Sequence, residues 1–465
     1  MLTYDMEKRG KIPRYDYLYR CIKADILAGR LKSGERLPSK RAIAEHLAVS
    51  VITVENAYAQ LESEGYVASR PRSGYYVCPA EDLPAPPAIF QSPLSDAERN
   101  AFGTGTDGEE TNGNEADGNK DKKWKYDFAS NRIDPKYFPF SVWSRLMRET
   151  LCFGGEELLR ASPFNGELAL RRAISEYLLR SRGIVAPPER IVVGAGTEYL
   201  YGLVVQILGR ERVYAVEDPS YPKIAQVYRA NGARVVHVKT DGQGVRADLL
   251  ENTPATVLHV SPSHHYPTGV VTGFTRRSEL LAWAARKGGY VIEDDYDSEF
   301  RLAGKPIQPM QALDTAGRVV YVNTFSRTLA PSMRIGYMVL PEGLMKKFRG
   351  ELGFYACTVP VFEQLTLAKF IAEGHFERHL SRMRNIYRKK RDEAIRLFTE
   401  RGYPLHIAEE DAGLHFLVRL DTDLADEEVR RLAAERGVKL AFLSDFAAEG
   451  GEAIEHCIVV NYSDL

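Results

Sequence analysis

One stretch limits what this 465-residue chain can become. From Glu81 to Trp124 it reads EDLPAPPAIFQSPLSDAERNAFGTGTDGEETNGNEADGNKDKKW, first proline-rich and then dominated by Gly, Asn, Thr, Asp and Glu. A segment so poor in β-branched and aromatic residues cannot bury enough apolar surface to offset the entropy of ordering it. It reads as a flexible linker, with a surface insertion inside one domain as the alternative. The chain is therefore expected to fold as separate bodies on either side: residues 1–80, the linker 81–124, and residues 125–465. The length agrees, since roughly 100–200 residues per domain gives two to four units.

Composition narrows the setting. Hydrophobic residues make up 44% of the chain, enough for a large core. The five cysteines, Cys21, Cys78, Cys152, Cys357 and Cys457, are scattered and form no CxxC pair. That pattern points to reduced thiols in a cytoplasm and away from a disulfide framework or a zinc knuckle. The opening MLTYDMEKRGK has no apolar run, so no signal peptide is expected. No stretch reaches the roughly 18 apolar residues of a membrane span.

The first body shows three helical patterns. YDYLYRCIKADILAGRL places Leu18, Ile22 and Ile26 on one face and stops at Gly29. SKRAIAEHLAV starts at Pro38-Ser39 and turns Ile43 and Leu47 inward. SVITVENAYAQLESEGYV has Ser50 as its candidate N-cap and Val54, Tyr58 and Leu61 on its inner side. YVASRPRSGYYV then alternates like two strands around a turn at Pro71 to Gly74. Three helices and a hairpin make a winged helix-turn-helix. Although the whole chain carries a net charge of only −1, this segment has four more Lys and Arg than Asp and Glu. Contact with DNA phosphates needs such local positive charge.

The second body alternates short apolar strands (ERIVVGAG, ERVYAVEDP, ARVVHVKT, ATVLHVSPS, GGYVIEDDYD, RVVYVNTFS) with helices such as EYLYGLVVQILG and RRSELLAWAARKG. The alternation predicts an α/β fold with a mostly parallel sheet covered on both faces. From about residue 342 long helices lead into GLHFLVRL and CIVVNYS, which reads as a small C-terminal α+β part.

Two resemblances follow from particular residues. LPSKRAIAEHLAVSVITVENAYAQLESEGYVASRPRSGYYV resembles the GntR-type winged helix. The resemblance implies that Ser39 and Arg41 meet phosphate, that Ser50, Thr53 and Asn56 face the groove, and that Arg70 and Arg72 on the wing enter a minor groove. The family usually has an arginine after the capping serine, able to read guanine; here it is Val51. The body from about Tyr126 to Leu465 resembles the fold-type I aminotransferases, which depend on pyridoxal 5'-phosphate (PLP). A GntR-type winged helix joined to such a body is the architecture of the MocR/GabR-type transcriptional regulators. By this resemblance Gly196 and Thr197 in GAGTEYLYGL, with Ser326 and Arg334 in FSRTLAPSMRIGY, hold a phosphate. Tyr221 in EDPSYP stacks on the pyridine ring, Asp294 in IEDDYDSEF pairs with its nitrogen, and Tyr296 bonds its hydroxyl. SPSHHYPTG matches the loop under the ring oxygen, with Tyr266 where the enzymes have asparagine.

Two departures bear on activity. Arg327 occupies the position of the Schiff-base lysine. A guanidinium, with a pKa above about 12, cannot supply the neutral amine that covalent attachment of PLP requires. The nearest lysines in sequence, Lys346 and Lys347, fall in the next helix. Val459 in CIVVNYS falls where aminotransferases clamp the substrate carboxylate with arginine. An isolated exchange of lysine for arginine would explain Arg327 but not Val459. The pair predicts a body that has lost transamination, and with the resemblance it favours a dimeric regulator whose body senses a small anionic ligand, PLP among the candidates, non-covalently. The alternatives are a working PLP enzyme with an accessory DNA-binding domain, and a scaffold with no ligand.

Overall fold

The structure, a computed structural model, describes residues 2–9, 13–32, 34–63, 66–70, 73–77, 124–130, 132–302, 307–400, 402, 404–409, 413–451 and 453–464. The chain divides into two units between Glu109 and Glu110. The expected linker lies outside the described residues up to Lys123, as does Arg72 of the wing.

In the first unit α1 (Arg14–Leu27), α2 (Lys40–His46) and α3 (Val51–Ser63) pack around the apolar faces seen in the sequence. Leu18, Ile22, Ile43, Val54, Ala57, Tyr58 and Leu61 are fully buried. The Tyr58 hydroxyl donates to the Pro38 carbonyl (2.9 Å), tying α3 to the segment that enters α2. The wing is an antiparallel pair, β1 (Val67–Arg70) with β2 (Gly74–Val77), in register Val67↔Val77 and Arg70↔Gly74.

The second unit opens with the short β3 (Tyr126–Asp127) and is built on an eight-stranded sheet. Its strands are β4 (Ile191–Gly194), β5 (Val213–Asp218), β6 (Arg234–Asp241), β7 (Gly244–Val245), β8 (Val257–Val260), β9 (Tyr290–Asp294), β10 (Val319–Thr324) and β11 (Gly336–Val339), in the order β4-β11-β10-β9-β8-β5-β6-β7. The pairs β5·β6, β5·β8, β8·β9 and β9·β10 are parallel, while β11 runs antiparallel between β4 and β10. Because side chains alternate across a strand, neighbours enter different cores. Ile292 and Val320 pack with the helix Thr197–Leu208, and Val291 and Val319 pack with Trp283 of the helix Phe274–Arg286.

One feature differs from the sequence reading: β11 lies in RIGYMVL, which the sequence presents as part of the serine–arginine loop. The helix Glu342–Leu352 packs on Thr197–Leu208, and Val361–Ala372 packs on Phe140–Gly154 and Leu168–Arg182. Both helices thus cover the large sheet's side of the body. The second sheet is antiparallel and consists of β12 (Leu405–Ala408), β13 (His415–Leu420) and β15 (Cys457–Asn461). A further two-residue strand, β14 (Val438–Lys439), pairs with β3.

Candidate functional site

Open α/β sheets bind ligands beyond the carboxyl ends of their strands. That edge gathers Gly196 after β4, Tyr221 after β5, Tyr266 after β8, Asp294 at the end of β9 and Ser326 after β10. Asp294 is buried. Its Oδ2 accepts a hydrogen bond from the Tyr201 hydroxyl (2.6 Å) and lies 3.5 Å from His259 Nε2. His259 Nδ1 is in turn 2.7 Å from the Tyr228 hydroxyl. Burial first, and then Asp294, push the Tyr201 phenol well above its ordinary value, so it remains a donor. Asp294 Oδ1 is buried without a hydrogen-bond partner. A buried carboxylate oxygen in that condition is costly, and a protonated ring nitrogen would satisfy it.

The anion cup forms where the loop after β10 meets the helix Thr197–Leu208. Gly196 precedes that helix at φ +88°. A Cβ there would sit 2.8 Å from Arg334 Nη2, so glycine serves both the backbone angle and the approach of Arg334. Arg334 itself is left-handed at φ 47°. Its Nη2 donates to Glu198 Oε2 (2.8 Å), and Glu198 Oε1 accepts from Lys223 Nζ (3.1 Å). Burial would raise the Glu198 pKa, but the bond from Lys223 and the two cations outweigh it and hold the carboxyl below its usual range. Glu198 is therefore an anion at the arginine of the cup. The Ser326 backbone N–H donates to Thr324 Oγ1 (3.1 Å), while Ser326 Oγ is buried and without a hydrogen-bond partner. The helix N-terminus, Arg334 and Ser326 suit a phosphate, and Asp294 suits a pyridine nitrogen. These residues fit a phosphorylated pyridine.

The positions at which the sequence departs from the aminotransferase pattern lie nearby. Arg327 is half-buried, and its charge acts on Tyr296, Tyr387 and His415. Burial, then the neighbouring His264, keep His415 well below its ordinary pKa and hence neutral. Because His415 Nε2 faces the Pro267 carbonyl at 3.1 Å, its proton sits on that nitrogen. The Tyr296 hydroxyl lies 3.3 Å from His264 Nδ1. Val459 is fully buried with Leu417, Ala441, Leu443, Phe446 and Cys457, and Tyr266 packs against this cluster. The Tyr266 ring meets Phe446 edge-on at 5.3 Å, His415 at 5.0 Å and Tyr221 at 6.0 Å. The residue expected under a ring oxygen is thus part of an aromatic wall.

On the first unit Ser39 Oγ accepts from the Ala42 N–H (3.2 Å) and caps α2. Arg41 and Asn56 are exposed. Ser50 Oγ accepts from the Thr53 N–H (3.1 Å) and bonds the Thr53 hydroxyl (2.8 Å). Two of the residues expected at the groove therefore also build the cap of α3. Arg70 closes β1 at the wing.

The chain matches the family "Aminotransferase class I and II" over residues 127–450 and "Bacterial regulatory proteins, gntR family" over residues 14–77. It is 37% identical to the HTH-type transcriptional regulator YdeL of Bacillus subtilis, over 94% of this chain and 91% of that protein. It is 32% identical to the probable rhizopine catabolism regulatory protein MocR of Rhizobium meliloti, over 94% and 88%. The chain belongs to the MocR/GabR-type transcriptional regulators. A further relative of this MocR-type chain, 28% identical over 95% and 90%, is the HTH-type pyridoxine biosynthesis transcriptional regulator PdxR of Corynebacterium glutamicum. Among solved structures, the multiple substrate aminotransferase of Thermococcus profundus superimposes with a TM-score of 0.66 at 23% identity, covering 74% of this chain and 88% of that one. That likeness establishes the shared fold.

The MocR-type body holds a second buried pair that the sequence reading passed over. His265 Nε2 lies 3.2 Å from Glu217 Oε2, a separation suited to an ion pair. Burial nevertheless pushes the Glu217 carboxyl up to about 8 and the His265 imidazole down to about 3, so near neutral pH both are uncharged. The unfolded values are 4.5 and 6.5. From pH 4.5 to 6.5 the two groups push stability in opposite directions. From 6.5 to 8 the folded chain keeps a proton on Glu217 that the unfolded chain has lost, so stability falls as pH rises. Glu217→Gln is expected to flatten that decline by on the order of 1 kcal/mol. Scanning calorimetry at pH 6.5 and 8 checks it. An equal drop in Tm for variant and wild type would mean that Glu217 is already ionised.

Proposed function

We propose that the chain is a regulator that binds paired half-sites on duplex DNA as a homodimer, and that its body holds a small anionic ligand of the phosphopyridoxyl class, PLP or a close analogue, without a covalent bond. One observation carries the reading. The loop after β10 carries Ser326 and Arg334 at the edge of the sheet where Asp294 ends β9, and by the resemblance its Arg327 stands where covalent attachment needs an amine, which supports this reading. Lys346 and Lys347 give no substitute: they pair with Glu342 and Glu351 on the exposed side of their helix. Lys223 is engaged by Glu198 at the rim of the cup.

The residues divide the task. Gly196 donates its own N–H to the Gly194 carbonyl (2.8 Å) and opens the helix whose first N–H groups, from Thr197 on, face the anion, and Arg334 adds a charge-assisted fork. Asp294, oriented by Tyr201, accepts the ring N–H. When bound, the ligand would supply a conjugated ring able to act as an electron sink, but Arg327, in the loop where the resemblance expects the lysine, has no amine to use it. Val459 itself, packed in an apolar cluster, supplies no cation for an amino acid's carboxylate. The name of the Corynebacterium relative, a regulator of pyridoxine biosynthesis, supports a ligand of this class. Phe153 and Leu159, 85% and 87% exposed near the end of the helix Phe140–Gly154, suit the face on which a second copy packs.

Two measurements test the halves of this reading. The full chain is expected to bind duplex DNA with two half-sites more tightly than one, with affinity falling steeply as salt rises. Equal affinity for one and two half-sites would count against a dimeric reader. Borohydride added after PLP is expected to trap nothing on the wild-type chain, by peptide mass mapping. Arg327→Lys is expected to be trapped at position 327 while transaminating poorly, because Val459 is unchanged. A trapped pocket lysine in the wild type would favour the enzyme reading instead.

A further inference from the structure

The outward face of α3 is unusual for a helix that meets a polyanion. Its inward face, Val54, Ala57, Tyr58 and Leu61, is fully buried and sets the helix's rotation. At its start the Ser50 and Thr53 hydroxyls bond each other across the cap. Glu55 is held by Lys40 of α2 at 2.8 Å. What the first turns leave facing outward is Val51, 43% exposed, Ile52, 68% exposed, and the amide of Asn56. Two adjacent β-branched side chains stand in solvent within a segment, residues 1–80, that carries 13 Lys and Arg against 9 Asp and Glu.

A single exposed apolar residue needs no explanation. This pair sits in the turn that a helix-turn-helix protein presents to base edges. In the major groove the C5 methyl of thymine is the apolar group available, and an Asn side chain pairs in bidentate fashion with adenine N6 and N7. A β-branched side chain in a helix is nearly confined to one rotamer, so its methyls meet a partner with little entropy left to lose. Resting on the DNA-binding reading above, we propose that Val51 and Ile52 read thymine methyl groups and Asn56 reads adenine, so that the core of each half-site consists of A·T pairs.

The test uses the full chain. Half-sites are enriched from a randomised duplex library, and each thymine of the enriched core is then replaced singly by deoxyuridine, which removes the methyl and nothing else. The expected result is an A·T core in which one or two replacements each weaken binding about fourfold, the scale of one buried methyl. The double variant Val51→Ala/Ile52→Ala, whose altered side chains lie on the exposed face, should bind the thymine duplex more weakly and lose the sensitivity to deoxyuridine. A G·C core, indifference to deoxyuridine, or equal sensitivity in wild type and double variant would each overturn the inference while leaving DNA binding intact. Failure to retain any duplex would overturn the DNA-binding reading and this inference with it.

Discussion

A buried carboxylate at the end of a central strand organises the body of this protein. Asp294 closes β9, and its Oδ2 is approached by Tyr201 from the covering helix and by His259 from the neighbouring β8. Removing a carboxylate from water costs several kcal/mol unless hydrogen bonds and charges compensate. Tyr201 and His259, itself bonded to Tyr228, supply part of that compensation. The second oxygen is buried without a hydrogen-bond partner. The strand ends, the helix N-terminus at Thr197 and the loop bearing Ser326 are arranged around the same edge of the sheet.

In the proposed reading the site keeps groups suited to binding, while Arg327 and Val459 stand where the resemblance expects groups that react. Arg327 lies in the loop after β10 and Val459 in β15, and the residues the resemblance expects there would serve different steps of transamination, one the cofactor's attachment and the other the substrate's carboxylate. Each replacement is embedded in its surroundings. Arg327 lies among Tyr296, Tyr387 and His415, and Val459 lies in an apolar cluster faced by Tyr266. Glu198 adds a further feature. As an anion bonded to Arg334, it would have to share that arginine with the phosphate we propose. Lys223, on the other oxygen of Glu198, reduces the repulsion such sharing entails.

Much of this was legible in the sequence because it depends on local pattern. The apolar runs IVVG, VYAVED, VLHV and VVYVNT became strands, and Ser39 and Ser50 became caps. β11 was not legible, since GYMV follows a loop whose serine, proline and arginine mark it as a turn. The partners of Asp294 were hidden for another reason. Tyr201 and His259 are 93 and 35 positions away in sequence, and only packing brings them together. A polar residue inside the apolar run VLHV was the one available sign of His259. The ionic group at the cup was equally non-local, as Glu198 and Arg334 are separated by 136 positions. The exposed face of α3 was half legible. Its missing arginine could be read directly, whereas the engagement of Ser50 and Thr53 with each other required coordinates.

The central claim is that the body recognises a phosphopyridoxyl ligand by its phosphate and ring nitrogen and not by its aldehyde. Parallel calorimetric titrations of the full chain with pyridoxal phosphate and pyridoxine phosphate, which differ only in aldehyde against alcohol, test it most directly. If Asp294, Ser326 and Arg334 carry the binding, the two Kd values should agree within about tenfold, or ~1.4 kcal/mol. Binding of the aldehyde about a hundredfold or more tighter than the alcohol would contradict the account.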